Sequence, residues 1–194
     1  MDIGFRPAMK EDAAALLKIY SEYVLNTAVS FEYEVPTLEE FEKRITTTLK
    51  NYPYLVLDCA GEIGGYAYAG RAAVRAAFDW SVETSIYIAK DFQGEGFGRS
   101  LYEYLEMFLK SQHVTNEYAR IAATTRAKDE YLTDGSLRFH EALGFKTVGR
   151  LNNCGYKFGK WYDLVYMEKI ISEHKAEQEP FIPFSKLKSE DLVR

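Results

Sequence analysis

The sequence predicts a single α/β domain, because segments with strand character alternate with segments of helical periodicity along most of the chain. Its 194 residues are enough for one domain with a substantial hydrophobic core. Hydrophobic residues make up 47% of the chain and charged residues 27%, which is ordinary for a globular protein. Together these observations favour one folded unit built from both kinds of secondary structure.

Local signals place the elements of the N-terminal half. Leu16, Tyr20 and Val24 recur at helical spacing after a short opening strand. Thr37 and Glu40 form a capping-box pattern that begins a second helix. The tripeptide Ala-Gly-Glu joins the next two strands as a hairpin. The predicted elements are a strand at 2–8, helices at 10–26 and 38–50, and strands at 52–59 and 63–70.

The C-terminal half continues the alternation. The segment WSVETSIYIA is rich in β-branched and aromatic residues, which favours a strand. Leu101, Leu105, Phe108 and Leu109 form the apolar stripe of the helix that follows, and Gly144 is placed to stop a later short helix. The predicted elements are strands at 80–89 and 119–125, helices at 98–112 and 135–145, and a final hairpin of 146–151 and 161–171.

The residues after Ser172 differ in character from the rest of the chain. Polar residues dominate 173–194, apart from Phe181 and Phe184 close to Pro183. We therefore assign residues 1–172 to one domain and 173–194 to a C-terminal tail outside its core. The two phenylalanines are too apolar for a freely solvated segment, so we expect them to dock on the domain or on a partner subunit.

Composition and charge exclude several classes of function. The net charge is −5 and no basic run exists, so nucleic acid is not an expected partner. No apolar run approaches the length of a membrane span. Two cysteines give neither a disulfide framework nor metal-ligand spacing, which predicts a cytoplasmic protein without a metal. The aromatic share of 15% indicates either aromatic-lined pockets or an aromatic-rich core.

Three alternating glycines, Gly94, Gly96 and Gly98, lie where a predicted strand gives way to a helix. A helix N-terminus presents unpaired amides and a partial positive charge, and glycines let that backbone approach a phosphate closely. A tight turn that needs glycine only for steric reasons would look the same. The spacing matches neither the P-loop nor the dinucleotide-binding fingerprint.

The segment Gln93-Gly94-Glu95-Gly96-Phe97-Gly98 resembles the Q/R-x-x-G-x-G/A motif of the GCN5-related N-acetyltransferase (GNAT) family, whose loop amides bind the pyrophosphate of acetyl-CoA. The resemblance extends over about residues 3–171. The segments SFEYE, YPYLV, GYAYAG, WSVETSIYI, HEALGF and GYKFGKWYDLVYM follow one another in the order of that family. Together they are similar to its phosphinothricin and methionine sulfoximine acetyltransferase branch.

This resemblance implies a mixed, mostly antiparallel, splayed sheet of about seven strands flanked by about four helices. It implies a bulge in the central strand, which would admit the pantetheine arm of acetyl-CoA and free backbone amides near Tyr87 for an oxyanion. Where this chain has Thr133, the family often has an asparagine that contacts the arm of CoA. The shorter threonine side chain is expected to weaken that contact. The residues implied to bind acetyl-CoA are Ile86, Tyr87, Ile88, Gln93, Gly94, Glu95, Gly96, Phe97, Gly98, Arg99, Ser100, Thr133 and Ser136.

Acetyl transfer needs a group that takes a proton from the attacking amine. Glu83 is the one acid within the apolar strand WSVETSIYI, where alternation places it on the face of Ser85 and Tyr87. From the residues alone, a carboxylate that faces water is the favoured interpretation. The resemblance implies that Glu83 is the base, because the branch has a glutamate at this position.

His140 is implied to be the acid that protonates the departing thiolate, because the branch has histidine at this position. A lone histidine on a helix is otherwise more often structural, and that alternative stays open. The resemblance aligns Arg75 with an arginine that binds the substrate carboxylate, although Ala73 replaces a second arginine of the branch. An arginine that is only a charged residue of a surface loop would give the same sequence pattern.

Other residues are implied to complete the acceptor site. Phe31 would line it, or simply pack in the core, and Glu83 and Tyr87 would contact the acceptor. Lys157 and Phe158 in the final hairpin are expected to reach the site of a neighbouring subunit, because many relatives are homodimers.

The function that follows is transfer of an acetyl group from acetyl-CoA to the amine of a small amino acid or analogue. Two alternatives remain at this stage: a peptide or protein N-acetyltransferase, and a non-catalytic acyl-CoA-binding module. The presence of Glu83 and His140 argues against the second.

Overall fold

The computed structural model describes residues 3–188, which form a seven-stranded sheet with the strand order β1-β2-β3-β4-β5-β7-β6. All neighbouring strands are antiparallel except β4 and β5. This agrees with the predicted mixed, mostly antiparallel sheet. The strands are β1 Ile3–Pro7, β2 Tyr54–Cys59, β3 Glu62–Arg71, β4 Ser81–Ile88, β5 Asn116–Ala123, β6 Lys146–Lys157 and β7 Lys160–Ile170.

Four α-helices of the described residues cover the two faces of the sheet, as predicted. The capping box is present, with Thr37 and Glu40 exchanging side-chain-to-backbone hydrogen bonds at the helix start. Gly144 has φ +93°, the left-handed geometry expected just after a helix. The helices are α1 Ala13–Asn26, α2 Leu38–Thr48, α3 Phe97–Ser111 and α4 Gly135–Ala142. No helix among residues 3–188 combines the length and the apolar character that crossing a bilayer requires.

The alternation of side chains along β2 and β3 creates a separate core on each face of the sheet. On one face Leu55 and Ala67 pack with α3, whose Leu101 and Leu105 are fully buried. On the other face Val56 and Tyr66 pack with α1 and α2. Each side therefore holds its helices by apolar burial, which leaves the strand ends free to build a site.

The strands β4 and β5 separate soon after they begin. Their ladder contains three pairs and ends at Glu83–Tyr118. The predicted splay is therefore present. The predicted bulge in β4 is wrong, because β4 keeps one continuous register with β3 from Val82 to Ile88. The irregularity lies instead between β2 and β3, where Gly64 has no partner in the ladder.

The chain after β7 packs back onto the domain. Phe181 lies against Tyr52, with ring centroids 5.4 Å apart, and Phe184 lies against Phe108 at 5.3 Å. The Gln112 side chain binds this segment by donating to the carbonyl of Ile182 at 2.8 Å. Residues 189–194 of the predicted tail, and residues 1–2 of the predicted domain, lie outside the described residues.

Candidate active site

The glycine-rich turn has the backbone geometry of an anion cradle. Gly94 and Gly96 have φ values of +85° and +84°, in the left-handed region that favours glycine, and Gly96 caps α3. A Cβ added at either glycine would meet nothing within 4 Å, so the space in front of the turn is open. Within residues 3–188, the amides of residues 94–98 have no hydrogen-bond acceptor. Five free amides at a helix N-terminus suit a pyrophosphate.

Two other predicted residues of this segment brace the turn. Gly98 lies against the ring of Phe139, since a Cβ there would come within 3.1 Å of it. Arg99 donates from its guanidinium to the carbonyl of Ala142 at 3.1 Å, which joins the start of α3 to the end of α4. The turn is therefore held from the α4 side, while its amides stay open to solvent.

Backbone pairing decides which amides of β4 face the gap left by β5. The amide of Ala89 donates to the carbonyl of Gly64 at 2.9 Å, and antiparallel bonding alternates along a strand. The Tyr87 amide therefore also pairs with β3. The amides of Ile86 and Ile88 point the opposite way, towards the gap. The Tyr87 amide, near which an oxyanion donor was expected, is therefore taken up by β3, and the neighbouring amide of Ile86 faces the gap.

Tyr23 of α1 occupies the polar groups of Ile88, and sequence reasoning missed it. Its hydroxyl donates to the Ile88 carbonyl at 2.6 Å and accepts from the Ile88 amide at 3.3 Å. Gln93 donates to the same hydroxyl and to the same carbonyl, each at 3.1 Å. This part of the gap is therefore bridged by side chains of the protein itself.

Glu83 lies at the last rung between β4 and β5, with 25% of its side chain exposed. Arg120, two residues beyond the end of the ladder on β5, forms an ion pair with it at 2.7 Å. Burial opposes the charge of Arg120, but the hydrogen bond and the field of Glu83 raise its pKa. Sequence reasoning missed Arg120. The signal was one basic residue within the apolar run ARIAATT.

His140 is 4% exposed and is held at both ring nitrogens. Its Nδ1 lies 2.8 Å from the carbonyl of Ser136, and its Nε2 lies 3.0 Å from the hydroxyl of Tyr102. That hydroxyl contacts Oγ1 of Thr84 on β4 at 2.8 Å. Burial lowers the pKa of His140, which favours the neutral ring. These hydrogen bonds thus connect His140 of α4, through Tyr102 of α3, to Thr84 of β4.

Arg75 and Phe31, predicted for the acceptor site, and Thr133, predicted for acetyl-CoA, lie in three different loops. Arg75 is exposed in the loop between β3 and β4, and its side chain has no partner among residues 3–188. Arg71 forms an ion pair with Asp79 and so braces that loop. Phe31 packs beside Tyr162, with ring centroids 6.4 Å apart. Thr133 accepts from the amide of Gly135 at 3.3 Å, at the start of α4.

Lys157 does not extend towards another subunit, and that expectation is wrong. Its side chain is buried, and Nζ donates to three carbonyls in and just after the last turn of α1, those of Val24 at 2.7 Å, Thr27 at 2.9 Å and Ser30 at 2.7 Å. These unpaired carbonyls attract a cation. Phe158 likewise stacks within its own chain, on Tyr131 at 4.1 Å.

No group of three or more His, Cys, Asp and Glu side chains within residues 3–188 is arranged to hold a metal ion. The amide donors of the turn instead suit an anion, and the Glu83 carboxylate suits an amine as a hydrogen-bond acceptor.

Comparison with known proteins gives the same family. Residues 5–166 match the model of the acetyltransferase (GNAT) domain. Phosphinothricin N-acetyltransferase of Streptomyces viridochromogenes is 32% identical over 185 residues, which are 95% of this chain and 96% of that protein. The L-methionine sulfoximine/L-methionine sulfone acetyltransferase of Salmonella typhimurium is 32% identical over 172 residues, 88% of this chain and 96% of that protein.

A solved structure agrees in fold and binds the expected donor. The phosphinothricin acetyltransferase of Sinorhizobium meliloti in complex with acetyl-CoA has a TM-score of 0.82 and 30% identity, covering 100% of both chains. The chain belongs to the GNAT family and is an acetyl-CoA-dependent N-acetyltransferase.

Proposed function

We propose that the protein transfers an acetyl group from acetyl-CoA to the amine of a small amino acid or amino acid analogue. The observation that carries this proposal is the position of Glu83. Its carboxylate marks the end of the β4–β5 ladder, and the free amides of residues 94–98 follow the other end of the same strand. One strand thus aligns a proton acceptor with an anion cradle.

The chemistry follows from this alignment. The cradle binds the pyrophosphate of acetyl-CoA, and the gap between β4 and β5 receives its arm. Glu83 takes the proton of the acceptor ammonium, and the free amine attacks the thioester carbonyl. The amide of Ile86, directed at the gap, stabilises the developing oxyanion.

His140 acts in this proposal as a positioning residue. Its two ring nitrogens are engaged, and its contact with Tyr102 supports Thr84 on the strand that carries Glu83. The alternative role as an acid would require one ring nitrogen to exchange its present partner for the thiolate. The thiolate of CoA can instead take its proton from water.

The class of acceptor is supported by the relatives. They are named for phosphinothricin and for methionine sulfoximine or sulfone. Arg75 would bind the acceptor carboxylate, since its guanidinium is free of partners within residues 3–188. In that case Arg75→Ala should raise the KM of an amino acid, at a cost of about 1.5–3 kcal/mol, and leave that of acetyl-CoA unchanged.

A homodimer is proposed from the surface of the β6–β7 hairpin. The rings of Tyr156 and Trp161 pack at a tilt with centroids 5.0 Å apart while about half exposed, and Leu151 on the edge strand β6 is 48% exposed. An exposed apolar strip along a strand edge suits a second copy of the chain. Cys154, exposed in this hairpin, is a natural labelling site. A fluorophore there should report association, and Trp161→Glu should abolish it.

A cytoplasmic location is proposed with it. Cys154 is exposed and free, and Cys59 is buried and free, which suits a reducing compartment.

An acceptor screen tests the function directly. Release of free CoA thiol from acetyl-CoA should depend on added amino acids. Thiol release with peptides only would favour a protein N-acetyltransferase. Binding of acetyl-CoA without release in any mixture would favour the non-catalytic module.

A further inference from the structure

On the face of β3 and β4 that carries Glu83, the side chains of β3 become smaller towards Glu83. Tyr66 faces Tyr87, Tyr68 faces Ser85, and Gly70 faces Glu83. Partners across an antiparallel pair point to the same side of the sheet. Large rings therefore close one end of this face, and the smallest residue lies directly opposite the carboxylate.

The backbone conformation at position 70 does not require glycine. The φ of Gly70 lies outside the left-handed region, so another residue could adopt its conformation. A Cβ built there meets nothing within 4 Å. Cross-strand Cβ atoms lie about 4.5–5.5 Å apart, so this open space lies directly beside the Cβ atom of Glu83.

A pocket of about 470 Å³ opens on the same face, between α2 and the sheet. Tyr68 lines it, and Tyr68 lies two residues from Gly70 and opposite Ser85. Burial raises the pKa of Tyr68, the hydrogen bond with Ser85 lowers it, and Glu83 and Arg44 add opposing fields. Tyr68 thus belongs to the pocket lining and lies across from Ser85, two residues along β4 from Glu83. The aromatic residues of the lining are Tyr20, Phe41, Tyr54, Tyr66 and Tyr68.

Arg44 stands at the rim of this aromatic pocket. It donates to Glu32 at 2.9 Å, with 46% and 37% of the two side chains exposed. Such an exposed pair contributes little to stability. A guanidinium has five N–H donors, and the contacts with Glu32 and Tyr20 leave several of them for a ligand. Lys43 and Glu40 also line the pocket, so its lining carries two positive charges and one negative charge. The Glu40 carboxylate is engaged by the Thr37 amide at 2.9 Å.

We propose that this pocket receives the side chain of the acceptor amino acid, that Gly70 makes the space for its amine beside Glu83, and that Arg44 selects side chains ending in an oxyanion. The assignment rests on the proposed function. The acceptor class is an α-amino acid with an extended side chain, apolar where it crosses the tyrosines and anionic at its tip.

The first test changes the size of residue 70. Gly70→Ala and Gly70→Val should raise the KM of amino acid acceptors progressively, by at least tenfold for valine, with an unchanged dissociation constant for acetyl-CoA. The matched control is Gly4→Val. Gly4 lies in β1, away from the site, and it also has an ordinary φ and no atom within 4 Å of a built Cβ.

The second test changes the charge at the rim. Glutamate and glutamine are acceptors of equal size that differ in the charge of the side-chain tip. The wild type should prefer glutamate in kcat/KM, and Arg44→Gln should reduce that preference roughly ten- to hundredfold. Arg44→Lys should restore part of the preference, and thermal unfolding should show that the variants are folded.

The outcomes separate the inference from the function on which it rests. If the wild type acetylates amino acids, but Gly70→Val matches Gly4→Val, or Arg44→Gln keeps the wild-type preference, the pocket assignment is overturned and the function stands. If the wild type acetylates no free amino acid, both are overturned.

Discussion

The donor side and the acceptor side of this site are built in opposite ways. The proposed cradle for acetyl-CoA is one continuous segment, residues 93–100, and it would bind through backbone amides. The acceptor side brings together Glu83 of β4, Arg120 of β5, Gly70 of β3 and Arg44 of α2. Acetyl-CoA is common to the reactions of this family, so local backbone geometry can bind it. The choice of acceptor depends instead on side chains from distant segments.

The two sides should therefore respond differently to substitution. A change in the turn should affect every reaction equally, since every reaction uses the same donor. A change around Glu83 should affect either the proton transfer or the choice of acceptor. Three substitutions test this difference and a fourth tests a buried carboxylate of β5; they follow in order of decreasing expected effect.

Glu83→Gln should have the largest effect. It keeps the shape of the side chain but cannot take a proton, so we expect kcat to fall by about 10²–10⁴. Acetyl-CoA affinity, measured by calorimetry, should stay within a factor of two of the wild type. Near-normal kcat would mean that the amine loses its proton elsewhere.

Gly96→Val should remove the cradle. The φ of +84° strains any β-branched residue, and the added side chain would project into the open space of the turn. We expect acetyl-CoA affinity to fall at least tenfold with every acceptor alike. Gly61→Val is the matched control, because Gly61 has a φ of +92° in the distant β2–β3 hairpin. Gly61→Val should lose similar stability and keep its affinity for acetyl-CoA. If both variants lose acetyl-CoA affinity equally, backbone strain and not the cradle causes the loss.

Glu117→Gln should change the pH dependence of stability. Glu117 of β5 is fully buried, and neither carboxylate oxygen has a hydrogen-bond partner within residues 3–188. Burial first, and then the field of Glu106, raise its pKa from 4.5 to about 8. Between these pH values the folded protein keeps a proton that the unfolded chain releases, so stability falls as pH rises.

The melting temperature of the wild type should therefore drop between pH 5 and pH 8, and that of Glu117→Gln should drop less. Glu141→Gln, on the exposed surface of α4, is the control and should follow the wild type. Parallel slopes for all three proteins would show that Glu117 is not the titrating group.

Tyr23→Phe should have the smallest effect. If the arm of acetyl-CoA uses the backbone of Ile88, it must displace the Tyr23 hydroxyl, which bonds both polar groups of that residue. Removing the hydroxyl should then tighten acetyl-CoA binding a few-fold, as measured by calorimetry. Weaker binding would show that Tyr23 holds the strand in its binding geometry.

Much of the fold and the donor side was predictable from the sequence. The capping box at Thr37, the stop at Gly144 and the turn around Gly96 depend on residues a few positions apart, and each forms where the pattern places it. These features obey local rules of backbone conformation and periodicity.

The β6 strand was harder. It extends to Lys157 through Asn153 and Cys154, which the sequence left unassigned. A register shift makes room for these residues, and Asp163 on β7 holds them by accepting from the Asn153 amide at 2.7 Å. Nothing near Asn153 in the sequence shows that this acceptor is available.

What the sequence by itself determined is the family, the order of the elements, and the cradle with its strand and helix. What only the tertiary structure decided is the ion pair of Glu83 with Arg120, the burial of His140 behind Tyr102, the inward course of Lys157, and the open space above Gly70. The physical reason is range. Dihedral preferences and hydrogen bonds within a turn are set by neighbours along the chain, whereas charge pairing and free volume depend on which strands and helices the folded sheet places side by side.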